Sequence, residues 1–134
     1  MSDDVIHLGP NQDLRVVSST AERLVLEARW RQGEPPPAHL HPSQEEHFEI
    51  LEGELMVVIG DDPPRHLHAG DTIEIPPGTA HKMWNALPGE ARAAWETMPA
   101  QRTEEMLRTV AAGIRPEDVG PMLEEFSAEM RLVR

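Results

Sequence analysis

The sequence predicts an all-β barrel over residues 1–100, followed by a helical extension over residues 101–134. Three observations carry this. Short runs with a two-residue polar/apolar period recur through the first hundred residues. Thirteen prolines and nine glycines cluster between those runs. Beyond Pro99 the apolar residues change to a helical spacing. Strands at regular intervals, separated by proline and glycine turns, are the pattern of a sandwich or barrel.

In chain order, Leu24, Leu26, Ala28 and Trp30 alternate with Val25, Glu27, Arg29 and Arg31. Glu46, Phe48 and Ile50 alternate with His47 and Glu49, and Leu55 to Ile59 is more continuously apolar. Asp61-Asp62-Pro63-Pro64 reads as a turn. Thr72, Ile73 and Ile75 follow Gly70, and Ala91 to Met98 makes a last strand. A first helix is predicted from Thr103, with Glu104 and Glu105 at the positive end of its dipole and a stop at Gly113. A second is predicted from about Glu117, with Val119, Met122, Leu123, Phe126 and Met130 on one face. The extension is too short for a core of its own and is expected to pack on the barrel.

Composition excludes several functions. The formal net charge is −12, with eleven arginines and one lysine against 24 acidic residues, so nucleic acid and anionic membrane surfaces are poor partners. Without cysteine there are no disulfides, thiolate ligands or thiol nucleophiles. Without tyrosine there is no phenol to act as acid or ligand. No apolar stretch reaches the ~18 residues of a spanning helix. The start, MSDDVIHLGP, is unlike a signal peptide, and a cytoplasmic location is expected.

The chemistry lies in four residues. His39 and His41 are two apart, so in an extended segment both imidazoles face the same way. Glu46 opens an alternating strand a short gap later, and His81 follows the stiff turn Pro76-Pro77-Gly78-Thr79-Ala80. Three imidazoles and one carboxylate suit Fe, Mn, Ni, Cu, Co or Zn and are too rich in nitrogen for Ca or Mg. In a six-coordinate ion, four such ligands leave two positions for water, dioxygen or a chelating substrate.

Gly33-Glu-Pro-Pro-Pro-Ala-His39-Leu-His41-Pro-Ser-Gln-Glu-Glu46-His-Phe-Glu-Ile-Leu-Glu-Gly53 resembles the first cupin motif at every defined position. Gly70-Asp-Thr-Ile-Glu-Ile-Pro76-Pro-Gly78-Thr-Ala-His81-Lys-Met-Trp-Asn85 resembles the second, sixteen residues further on. The resemblance implies a double-stranded β-helix, the cupin jelly roll, with one divalent transition metal on His39, His41, Glu46 and His81. It also implies a homodimer, since cupins commonly pair through barrel edges and an exposed edge needs covering. Leu67 takes the inward position of its strand in this pattern, which turns His66 and His68 outward. Glu45 and His47 are expected to face away from the metal. Asn85 is expected to secure backbone.

Phe48 and Met83, nearest the four residues, are expected to line a substrate pocket, while Trp30, Trp84 and Trp95 belong either to the core or to the barrel mouth. Glu27, Arg29, Arg92 and Glu96 are expected on solvated or interface faces. Two functions remain open at this point. One is an enzyme acting on a small organic molecule by dioxygenase, decarboxylase, isomerase or lyase chemistry. The other is a non-catalytic small-ligand-binding or sensor protein with a structural metal. The fold alone does not choose between them.

Overall fold

The computed structural model describes residues 4–133, so the first three residues of the predicted barrel and the last of the extension lie outside the described residues. Alternation decides which side of each strand is buried. In β3 (Leu24–Trp30), Leu24, Leu26, Ala28 and Trp30 are buried; in β5 (Glu45–Glu52), Glu46, Phe48 and Ile50 are. In β8 (Thr72–Ile75) Ile73 and Ile75 point inward, and β10 (Ala91–Met98) buries Ala91, Ala93 and Thr97. A period of two with one buried face requires a second layer to cover it.

That layer is a second sheet. The first has the order β1-β2-β3-β10-β5-β8, where β1 is Val5–Leu8 and β2 is Gln12–Ser19. The second has the order β11-β4-β9-β6-β7, where β4 is His39–Leu40, β6 Glu54–Ile59, β7 Arg65–His68, β9 His81–Trp84 and β11 Arg131–Leu132. Each pairing between these named strands is antiparallel. The chain crosses repeatedly from sheet to sheet, so both enclose one apolar cluster.

The sharpest crossing is at Gly53, between β5 and β6. Its φ is +75°, and a Cβ there would lie 2.6 Å from the Glu90 carbonyl oxygen. Only glycine fits both restrictions. Asn85 secures backbone, as expected. It is buried, its amide donates to the carbonyls of Trp30 and Gly89 at 3.2 and 2.9 Å, and its carbonyl accepts from the Leu87 N–H.

Helix α1 (Thr103–Ala111) begins where predicted, and Gly113 follows it at a φ of +96°. Its Met106 and Leu107, with Phe126 further on, join the same buried cluster as the barrel strands. The second helix departs from expectation. After a 3-10 turn at Pro116–Asp118, α2 covers only Val119–Glu125; Val119 is exposed and Met130 lies beyond the helix. The carbonyl of Phe126 accepts from the N–H groups of both Glu129 and Met130, and the chain turns back. It ends as β11, with Arg131 opposite Leu40 and Leu132 opposite His39. Sheet pairing with β4 outweighs the helical spacing of Met130, so the extension is not wholly helical.

Gly53→Ala is expected to cost about 1–3 kcal/mol, because it places a side chain at positive φ against backbone. A urea unfolding curve checks this; an unchanged midpoint would show that the crossing can relax.

Candidate metal centre

Four side chains converge inside the barrel near its helical end. His39 lies on β4, His41 just after it, Glu46 near the start of β5, and His81 opens β9. His39 and His81 are cross-strand partners, with ring centroids 4.5 Å apart. Gly78, at φ +76°, turns the chain before His81, and its N–H donates to the His41 carbonyl at 2.8 Å. One donor atom from each of His39, His41, Glu46 and His81 lies within 4.8 Å of all the others.

Hydrogen bonds fix what each donor presents. Nδ1 of His41 is 2.7 Å from the Glu129 carbonyl, and Nδ1 of His81 is 2.9 Å from the Thr79 carbonyl. A carbonyl only accepts, so in both rings Nδ1 carries the proton and, in the neutral form, Nε2 keeps its lone pair. Those two Nε2 atoms lie 3.0 and 2.9 Å from Oε1 of Glu46. The other carboxylate oxygen, Oε2, accepts the indole N–H of Trp95 at 2.7 Å. Glu46 is only 1% exposed. Nε2 of His41 and Oε1 of Glu46 are buried yet lack a hydrogen-bond partner in good geometry, despite their short separation.

This arrangement calls for positive charge. Burial disfavours a charged His41, but the Glu46 carboxylate prevails and holds that imidazole above its ordinary range. Burial likewise opposes ionisation of Glu46, and His41 and His81 together reverse this, keeping it well below the usual carboxylate range. His39 goes the other way: burial, then its neighbours His81 and His41, push it down to about 4. At neutral pH it is therefore an uncharged donor. Lone pairs and a buried carboxylate converging on one point, with His41, His81 and Glu46 each oriented from behind by a hydrogen bond, fit a transition-metal ion.

A cavity of about 270 Å³ opens from the cluster. Phe48 and Met83 line it, with Trp30 and Trp95. Phe48 stacks on Trp95 at 5.5 Å and 17°. Met106, Leu107, Val110 and Met130 of the extension line the cavity too, which the helical spacing of that segment does not specify. Sequence reasoning did not find the Glu129 carbonyl behind His41, since a main-chain contact 88 residues away leaves no mark on residue type.

The other histidines lie elsewhere. Leu67 is buried and His66 and His68 face solvent, with His68 3.1 Å from Glu54. His47 pairs with Glu45 outside the cluster at 2.7 Å. Glu27 and Arg92 meet at 2.9 Å on the outer face, and Trp84 is half-buried outside the cavity lining.

The model of the cupin domain matches residues 26–95. An oxidoreductase of Arthrobotrys oligospora is 32% identical over 65 residues, which are 48% of this chain and 25% of that protein. The chain spans about a quarter of the length of the curated oxidoreductase-named relatives it matches. An RmlC-like cupin from Shewanella frigidimarina superposes with a TM-score of 0.67 over 77% of this chain and 89% of its own, at 19% identity. Oxalate oxidase bound to the substrate analogue glycolate gives 0.51 over 57% and 42%, at 26% identity. With more than half of the chain matched by the family model, and the two-sheet jelly roll shared with a solved structure, this chain belongs to the cupin superfamily.

Proposed function

We propose that this chain is a metal-dependent enzyme acting on a small organic molecule, with one divalent transition ion on His39, His41, Glu46 and His81. The observation that carries the reading is the pair of orphaned buried atoms, Nε2 of His41 and Oε1 of Glu46, beside an apolar cavity. Such a pair is costly to bury without a cation between them. The ion would supply a Lewis acid to polarise a carbonyl, enolate or other oxygen function of the substrate.

The protein's own part is orientation. Trp95 fixes the carboxylate, and the Glu129 and Thr79 carbonyls fix two imidazoles. Phe48, Met83 and the methionines of the extension exclude water from the bound molecule. The barrel and the extension thus work as one unit. Oxidoreductase names among the relatives favour redox chemistry over lyase or isomerase chemistry. We also propose a homodimer, which would cover free sheet edges such as β7 and β8.

Metal analysis of the purified protein should find one equivalent of Fe, Mn, Co, Ni, Cu or Zn per chain. The His41→Ala and His39→Ala/His81→Ala variants should lose it. A parent that stays metal-free after reconstitution would overturn the reading. Trp95→Phe keeps a ring beside Phe48 but removes the hydrogen bond to Glu46. It should weaken metal binding about 10–100-fold in a chelator competition; unchanged affinity would show that the indole does not position the carboxylate. Metal-dependent consumption of dioxygen or of a keto acid or phenol supports the enzyme, whereas tight binding of such a molecule without turnover would make the barrel a ligand sensor.

A further inference from the structure

The cavity wall says which kind of molecule belongs beside the four donors. Apart from His39, His41, Glu46 and His81, no Lys, Arg, His, Asp or Glu is among the described residues that line it. The polar remainder is Gln12 and Thr103, and the Thr103 hydroxyl already accepts the Gln44 amide at 2.7 Å. Arg31 lies beside the cavity and not in its lining. It lines a shallower vestibule that shares Leu8, Gln12, Trp30, Pro36 and Met83 with the cavity, and Asp13 holds it at 2.8 Å.

A phosphate or a second carboxylate held away from the ion would therefore lose its water with no side-chain cation in the wall to replace it. A sugar would bury several hydroxyls against thioethers and rings, with few partners for them. One flat apolar body meets neither difficulty. The stacked Phe48 and Trp95 form one wall, and Met83, Met106 and Met130 bring adaptable sulfur atoms that pack well on ring edges. Charge points the same way. A divalent ion with Glu46 as its only anionic ligand keeps one net positive charge, which a singly ionised head neutralises and a dianion overshoots.

Building on the metal-site reading above, we propose that the ligand is a small molecule with one bidentate oxygen head and an uncharged apolar body about the size of one ring. A catechol bound as its monoanion, or a tropolonate, has this chemistry; a sugar phosphate or a small dicarboxylate does not.

The test is binding to the metal-loaded protein, read by the absorbance shift of 4-nitrocatechol, with oxalate and inorganic phosphate as competitors. 4-Nitrocatechol should bind at least tenfold more tightly than oxalate, and phosphate should not displace it. Met106→Lys puts a cation in the wall and should reverse or abolish the preference, while Met106→Leu should keep it; both variants are first checked for retained metal. Equal or tighter binding of oxalate, or a preference untouched by Met106→Lys, overturns this proposal and leaves the metal site standing. Failure to take up metal overturns both.

Discussion

The hydrogen bond from the Trp95 indole to Glu46 decides how the interior is arranged. It takes one oxygen of a fully buried carboxylate and leaves the other aimed at two imidazoles. The bond depends on register. Trp95 lies opposite Phe48 and Thr97 opposite Glu46, so these two residues of β10 and these two of β5 share one face. A one-residue slip of β10 would turn Trp95 and Thr97 outward and leave Glu46 without its indole donor. The glycine crossing at Gly53, the Asn85 clasp and the antiparallel pairing of β10 with both β3 and β5 all help keep that register.

The site is also built from behind. His41 and His81 each donate their Nδ1–H to a main-chain carbonyl, and the two carbonyls come from separate segments of the chain. Thr79 belongs to the stiff turn before β9. Glu129 belongs to the returning end of the extension, where its own buried carboxylate lies 3.4 Å from the Arg102 N–H at the start of α1. Phe126, fully buried beneath the Arg102 guanidinium, anchors that return. Exposed ion pairs of Arg102 with Glu105 and Glu125 add little individually; apolar burial and the short β11 pairing contribute more.

Much of this was legible in the sequence because it depends on local period and residue type. The alternation of β3, β5, β8 and β10 shows directly in the order of residues. The motif spacing singled out the four side chains that the fold brings together, and Leu67 between His66 and His68 showed which way those histidines face. What escaped was whatever tertiary contact decides. Met130 fits a helical stripe, yet sheet pairing claims the residues after it. Two-residue strands such as β4 and β11 carry no period. The Trp95 bond to Glu46 needs a strand register that no single segment states. The contribution of the extension to the cavity wall follows from where its helix docks, which an amphipathic pattern does not specify.

The contact between His41 and the Glu129 carbonyl spans 88 positions of sequence. Synthesis proceeds from the N-terminal side, so all four donors emerge from the ribosome well before the group that orients one of them. The arrangement of the four donors therefore depends on the returning segment as well as on the barrel, because without β11 against β4 His41 would lose the carbonyl that fixes its Nδ1 proton.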